Sequence, residues 1–554
     1  MSGSITLENR FGVNKMELIS LKYAIFVIAL LVLYYCFPKK YRWYVLLAGS
    51  MAYYVIICKW YVLFIIFTIC TTYGSTIWID KLLKEQNAIV KSHKEDWDRQ
   101  TRKDYKEKGR KKRVAVMLFA LLCNFGILAF LKYIPYAGEL GLLLPLGISF
   151  YTFQSMGYVM DVYREIVEPE KNFLKVALFV SFFPQIIQGP IAIYDKLAGQ
   201  LYEGHSLRLE NLQKGALLVL WGVMKKLVIA DRAVNIINFV MDKPMDFSGT
   251  YVFFAAVVYA LQLYADFSGG IDIVRGIAEM FGITMSTNFN HPYFSRSLTE
   301  YWHRWHMTLG DWCRNYIFYP LSISKRFLNF GKWLKPRFGA HISKVLPGCI
   351  ASVITFIVIG VWHGANMKYL YFGLWNGIVI MLAELFAPVN KKVAGGFFKL
   401  TGLREKGIFA TIVSVLWTFM LILVGYYFDI AANASTAFHM LFKSVTDFHI
   451  SELGINNIIL NLGACGLDEY DILLLIICTL LWFFISFVEE NKKLDMRDFI
   501  LSRKLPLRWA IIYLGIFIVI IFGYYGPGVN PADFVYMPVS YTHLRAHETC
   551  ADLV

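Results

Sequence analysis

Charge is scarce in this 554-residue chain: Asp, Glu, Lys and Arg together make up 17% of it, against about 25% in ordinary soluble domains. A chain so poor in charge, with what it has gathered into clusters, does not read as a soluble globular protein. Acidic residues are the scarcer half, 40 Asp and Glu against 55 Lys and Arg. The nine cysteines include no Cys-x-x-Cys pair, and Cys36, Cys58, Cys70, Cys123 and Cys478 sit within apolar runs. That leaves neither a disulfide framework nor a thiolate zinc site, and reads as packing. The alternation of short apolar and polar segments that a membrane β-barrel needs is missing too.

What the chain has is grease. Hydrophobic residues make up 57% and aromatic residues 17%, and many apolar runs reach roughly 18 residues, enough to cross about 30 Å of hydrocarbon. The expectation is an all-α polytopic membrane protein with about 11–13 transmembrane helices plus re-entrant or interfacial helices around a central funnel or tunnel. Spans are expected near 18–37, 42–58, 60–79, 114–134, 140–160, 173–190, 212–230, 250–268, 346–362, 368–387, 407–428, 470–488 and 509–525. Pro184 marks 173–190 as a run that dips rather than crosses. The first span is too long for a signal-peptide core and lacks a small-residue cleavage site, so it reads as a signal anchor after an N-terminal segment, 1–17.

Residues 81–113 hold 13 Lys/Arg against 6 Asp/Glu. With the basic turn Pro38-Lys39-Lys40-Tyr41-Arg42, they place two loops on the cytoplasmic side and the N-terminus outside. The basic loop fits anionic membrane lipids, with an acidic soluble partner as the alternative; membrane topology accounts for the positive excess without nucleic acid. From Pro538 the chain turns to "PVSYTHLRAHETCADLV" (538–554), which resembles translated cloning sequence. It is set aside with His543, His547 and Cys550, leaving 18–537 as one membrane domain.

The middle of the chain departs from plain helix. "QLYADFSGGIDIVRG" (262–276) puts Asp266 and Asp272 at the end of an apolar run, where each charge costs roughly 3 kcal/mol on insertion scales. "NFNHPYFSRSLTEYWHRWHMTLGDWCRNYIFYP" (288–320) reads as short, Pro-bounded helices carrying interfacial aromatics. Residues 262–345 are therefore expected to be a re-entrant or interfacial core around protein-enclosed space. His303 and His306, spaced i, i+3, share a face if the stretch is helical. His363 lies between Gly360 and Gly364 at the end of a clean span, and an intramembrane ionisable residue is a functional candidate. His303, His306 and His363 together number the ligands of a catalytic zinc. Spacing alone argues weakly for a metal, and a di-iron oxygenase needs several His-rich clusters.

Four stretches in order, "SFFPQIIQGPI" (181–191), "LQLYADFSGGIDIVRGIAEMFGI" (261–283), "NFNHPYFSRSLTEYWHRWHMTLGDWCRNYIFYPL" (288–321) and "VWHGANMKYLYFGLWNG" (361–377), resemble the membrane-bound O-acyltransferase family and its bacterial alginate O-acetyltransferase-like branch. Arg-Trp-His followed by Trp-His-Gly is the specific part. The resemblance implies an O-acyltransferase with His363 and His306 as its catalytic histidines. Arg304, Trp305, Trp362, Asn366, Gln185 and Asp266 follow as supporting or substrate-binding candidates, and no bound metal or cofactor is implied. His303 departs from the family pattern and counts as a neighbour; Asp266 and Asp272 shape the cavity by breaking their helix.

The chemistry agrees: a hydroxyl attacks a thioester only when a base takes its proton, and histidine does so near neutral pH. The implied co-substrate is an acyl thioester, acetyl-CoA or an acyl carrier protein on the cytoplasmic side. The implied acceptor is an exported polysaccharide, reached directly or through an extracellular SGNH hydrolase-like acetyltransferase, in a bacterial cell membrane. "LVGYYFDIAANASTAFHMLFKS" (423–444) and "YYGPGVNPADFVYM" (524–537) lean toward acetylation. D-alanyl transfer to teichoic acid is the alternative. A lipid or polysaccharide transporter is the alternative of another class; it predicts paired inverted repeats, and the other half of the sequence shows no second Trp-His-Gly segment.

Overall fold

A computed structural model describes residues 16–534 apart from 17, 135–141, 143, 402–403, 405–406, 455–456, 458–464 and 527–533. The foreign-looking stretch 538–554 lies outside the described residues. The chain is an all-α polytopic membrane protein, with no strand among the described residues. Two units divide it: 1–219 with 270–286, and 220–269 with 287–535.

The first unit opens with α1 (Leu21–Cys36), α2 (Arg42–Cys58), α3 (Val62–Ser92) and α4 (Arg99–Tyr133). In α3 the buried stripe is Ile65, Thr68, Ile69, Thr72, Ser75, Thr76 and Ile79, at 3.6-residue spacing and rich in small hydroxyl residues. Leu63, Ile66, Phe67 and Trp78 on the same helix are exposed. Hydroxyl and small side chains inward with bulky apolar ones outward suit a helix packed in lipid, where close backbone approach holds helices together. At 31 and 35 residues, α3 and α4 are about 46 and 52 Å long at 1.5 Å per residue, well past the hydrocarbon thickness. The basic stretch 81–113 is therefore largely helical, with its tip capped by Asp98, whose carboxylate accepts from the backbone N–H of Gln100 and Thr101. Then follow α5 (Ile148–Tyr163), α6 (Phe173–Ser181), α7 (Phe183–Gln188) and α8 (Tyr194–Tyr202). Pro184 in the first turn of α7 marks the break that separates it from α6. Helix α9 (Leu209–Met224) then leads out of this unit.

In the second unit a wide π-turn, Lys225–Ala230, joins α9 to α10 (Asp231–Met241), and α11 (Gly249–Met280) follows, its residues from Gly270 onward belonging to the first unit. Helix α11 is unbroken through Asp266, Gly269, Gly270 and Asp272, which corrects the expectation that this stretch ends its helix. The reason is that its polar groups are satisfied in place: Asp266 pairs with Lys226 and Asp272 with Arg275. A Cβ at Gly269 would lie 2.8 Å from the Gly222 carbonyl oxygen, so glycine serves close approach there.

Short pieces follow, α12 (Leu298–Arg304), α13 (Met307–Cys313), a second π-turn (Arg314–Phe318) and α14 (Tyr319–Ser322). They precede α15 (Lys325–His363), kinked at Gly339. The unit closes with α16 (Met367–Leu385), α17 (Ala387–Thr401), α18 (Ile408–Ile430), α19 (Ala434–Thr446), α20 (Glu469–Lys492), α21 (Met496–Leu501) and α22 (Leu505–Phe522).

Among the described residues seven helical stretches are each long and apolar enough to cross a membrane, or eight if the bent pair α16–α17 is one span. This is fewer than the 11–13 read from hydropathy. Helix α1 and the run α6–α7 are shorter apolar helices, and α2 and α3 fall in one stretch, Lys39–Ser92, interrupted at Lys59–Tyr61. In its apolar window α11 is 67% buried and α22 not at all. Helix α11 therefore belongs to the protein interior, and its Phe267 ring is the group it brings to His306.

Candidate active site

His306 and His363 come together in the second unit, on two different scaffolds. His363 ends the 39-residue α15, half-buried. Its ring lies 4.9 Å from that of Trp362, 5.4 Å from Phe372 and 6.0 Å from Tyr369, centroid to centroid. A Cβ at Gly360 would sit 2.2 Å from the Tyr369 carbonyl oxygen. Glycine there lets α15 and α16 close on each other just below the imidazole.

His306 is held by irregular backbone. It precedes α13 with φ 43° and ψ 52°, the left-handed region that a non-glycine residue adopts at a cost of order 1 kcal/mol and that clusters at functional sites. The helix breaks at this point, so the pair His303 and His306 does not share a helical face: His303 is exposed and His306 buried.

Asn288 holds the break. Its side-chain oxygen accepts from the Thr308 backbone N–H at 3.1 Å and the Thr308 hydroxyl at 2.9 Å, and pairs with His306 Nδ1 at 3.1 Å. Its backbone carbonyl accepts from the Met307 N–H. Since the backbone N–H identifies that side-chain atom as an oxygen acceptor, His306 Nδ1 must donate. The neutral ring then carries its proton on Nδ1 and its lone pair on Nε2. Burial, with the His363 imidazole nearby, pushes the His306 pKa down to about 3. The residue lies between the crossing helices Gly249–Met280 and Lys325–His363, not within them. The Phe267 ring meets the imidazole edge-on at 4.9 Å and 90°, and Trp362 stands 6.4 Å away. One indole therefore neighbours both histidines.

The supporting candidates separate. Trp305 is buried in an aromatic cluster with Phe267, Phe289, Tyr293 and Tyr301. Arg304 is paired with Glu300 at 2.7 Å and Glu490 at 3.0 Å, and Asn366 caps α16 by accepting from the Lys368 N–H. Both are therefore engaged away from the imidazoles. Asp266 is enclosed in an ion pair, and Gln185 belongs to the other unit, where it donates to the Gln154 side chain. Sequence reasoning missed Asn288, Thr308 and Phe267. Asn288 and Thr308 carry no local signal, because their role depends on a turn that brings residues 18 and 20 apart into contact. Among the described residues no group of three or more His, Cys, Asp or Glu side chains gathers to hold a metal.

The fold defines a multi-span membrane protein whose interior brings two histidines around one tryptophan. Residues 169–335 match the membrane-bound O-acyltransferase family model; His306 lies inside the match and His363 beyond it. The chain is 30% identical over 315 residues to the probable alginate O-acetylase AlgI of Pseudomonas syringae pv. tomato, covering 56% of this chain and 54% of the relative. It is 30% identical over 314 residues to the peptidoglycan O-acetyltransferase of Helicobacter pylori, covering 50% and 56%. It is 26% identical over 288 residues to the teichoic acid D-alanyltransferase of Bacillus subtilis, covering 51% and 67%. The matched part thus spans little more than half the length of the first two relatives.

Proposed function

We propose that this chain is a membrane O-acyltransferase that moves an acyl group, in our reading acetyl, from a cytoplasmic thioester to a hydroxyl of an exported polysaccharide or of an extracellular SGNH hydrolase-like partner. The observation that carries the reading is the meeting of His306 and His363 around Trp362 in a chain with this family match. His363 takes the proton of the hydroxyl as its oxygen attacks the thioester carbonyl. The tetrahedral oxyanion collapses, the C–S bond breaks, and the departing thiolate takes the proton from the imidazolium. His306, neutral with its lone pair on Nε2, can accept a hydrogen bond from the hydroxyl but cannot donate one to a carbonyl. It is assigned to hold the acceptor rather than to polarise the thioester. The donor is acetyl-CoA or an acyl carrier protein, docked on the side bearing the basic 81–113 hairpin. That side is the cytoplasm by the positive-inside rule, with the N-terminus outside, in a bacterial cell membrane.

The test is ester-linked acetate on cell-surface glycan from cells expressing the chain. His363→Ala is expected to abolish it while the protein stays folded and membrane-inserted; unchanged acetate would refute the assignment. D-alanyl transfer to teichoic acid is the second reading, favoured by the likeness to the B. subtilis D-alanyltransferase. It predicts ester-linked D-alanine in place of acetate.

A further inference from the structure

Away from the two imidazoles, the second unit buries a set of charges that the transfer chemistry does not use. Lys226 Nζ lies 2.8 Å from Asp231 Oδ1 and 2.7 Å from Asp266 Oδ1, with side-chain exposures of 3%, 1% and 0%. The preceding residue, Lys225, is buried as well and donates to Ser268 Oγ at 2.9 Å. Beside them Arg232 pairs with Asp471 at 2.8 Å. Well-packed apolar residues of similar volume are often as stable as a buried ion triad or more so, so stability alone is a poor explanation for it.

The geometry of the lysines suggests another. Consecutive residues on an α-helix point about 100° apart, yet Lys225 and Lys226 both reach α11. They start the π-turn Lys225–Ala230, a wider coil that recurs at functional sites. Their targets are Ser268 and Asp266, two residues apart on α11, and the residue bracketed between those anchors is Phe267. Its ring is the one that stands edge-on to His306. The chain of contacts runs Lys226 to Asp266, along one peptide to Phe267, and from Phe267 to the imidazole. Side chains reach roughly 5–6 Å from a helix axis. A rotation of α11 by about 10° therefore moves the Phe267 ring by about 1 Å, a displacement that can lower a rate by about 10²-fold.

We propose that Lys226 is a positioning residue for the His306 site, clamping Asp266 and so fixing, through Phe267, where the imidazole stands. Its consequence for acyl transfer rests on the function proposed above, but its physical test does not. The full-length protein in nanodiscs is treated with diethyl pyrocarbonate, and carbethoxylation of His306 is followed by peptide mass spectrometry, with exposed His303 as the internal reference. Lys226→Met and Phe267→Leu are each expected to raise the His306 rate about tenfold relative to His303. The double variant is expected to rise no further than the larger single change, because both act along one path.

A His306 rate within twofold of wild type in Lys226→Met overturns the proposal, as does a double variant equal to the product of the singles. A merely stabilising role would shift the thermal midpoint without moving this ratio. Should Lys226→Met fail to elute as a folded protein, the neutral triple Lys226→Met/Asp231→Asn/Asp266→Asn replaces it, and the same rates support or overturn the clamp. If His363→Ala leaves surface acetate intact, the function falls while the carbethoxylation result still decides the clamp.

Discussion

Asn288 is the residue on which the His306 turn depends, and its removal gives the sharpest expectation for the fold of the site. His306 stands at the N-cap of α13 but makes no side-chain cap bond. Asn288, eighteen residues earlier, does that job from outside by accepting the Thr308 N–H. In Asn288→Ala that cap is lost, worth about 0.5–2 kcal/mol, and two further buried donors, the Thr308 hydroxyl and His306 Nδ1–H, lose an acceptor at about 1 kcal/mol each. The hydroxyl can turn and recover part of its share, so the total is about 2–4 kcal/mol. Asn288→Asp keeps an oxygen acceptor at the same place and gives up only the amide group. Its added negative charge beside Nδ1 favours the imidazolium, which raises the His306 pKa. The assay is unfolding of the purified protein by SDS titration in mixed micelles at pH 7.5, with surface acetate measured in parallel. Asn288→Ala should be less stable by that amount and inactive, whereas Asn288→Asp should stay within about 1 kcal/mol of wild type. Asn288→Ala as stable as wild type, or Asn288→Asp as damaging as Asn288→Ala, refutes the assignment of the turn to this side chain.

Two further outcomes follow from the same geometry. His306 has its folded pKa depressed to about 3 from an ordinary value near 6.5, so below pH 6.5 the unfolded state binds the extra proton first. The contribution is fully present above pH 6.5 and is lost progressively as pH falls toward 3, at no more than about 1.4 kcal/mol per pH unit. Thermal midpoints compared at pH 7.5 and pH 5 should fall further for wild type than for His306→Gln; equal falls would contradict the burial argument. Gly360→Val puts a Cβ where the Tyr369 carbonyl oxygen lies only 2.2 Å off, overpacking worth about 1–3 kcal/mol. It should lower the melting temperature and abolish acetate ester formation by shifting His363, and normal activity would show that the α15–α16 contact does not set that imidazole.

The class of the fold was legible because hydropathy is local: eighteen apolar residues read as a span wherever they occur. His363 was legible for the same reason, an imidazole between two glycines at the end of an apolar run. The continuity of α11 was not. "ADFSGGID" looks like a helix end because its charges and glycines are read alone, and the partners that satisfy them come from elsewhere in the chain. Lys226 reaches Asp266 from forty residues away, and Gly269 answers the Gly222 carbonyl. A signal was nonetheless present, since Lys225, Lys226 and Asp231 lie in or beside the expected span 212–230, where unpaired charge is costly. Three charges in one apolar run predict partners of opposite sign at the same depth, and Asp266 is such a residue. The helical reading of "TEYWHRWHMTL" failed at one residue. No local rule predicts a left-handed histidine, whose cost is offset by the hydrogen bonds that residue 288 accepts from 306–308.

These placements imply that the two imidazoles are mounted independently. His363 rides on a regular helical hairpin, α15 against α16, fixed by glycine contacts and aromatic rings. His306 rides on a broken segment held by polar groups: Asn288 at the turn, and the Lys226–Asp266 clamp acting through Phe267. Apolar packing tolerates volume-conserving substitutions at less than about 1.5 kcal/mol, because neighbours repack. A buried hydrogen-bond network tolerates them poorly, since a donor that loses its acceptor there forfeits about 1–3 kcal/mol outright. Conservative apolar substitutions around His363 should therefore grade its position, whereas single polar substitutions around His306 should switch the site off. That asymmetry suits the division of labour proposed here. The group that holds the acceptor hydroxyl must stand at one point, while the base that takes the proton needs only hydrogen-bond reach of it.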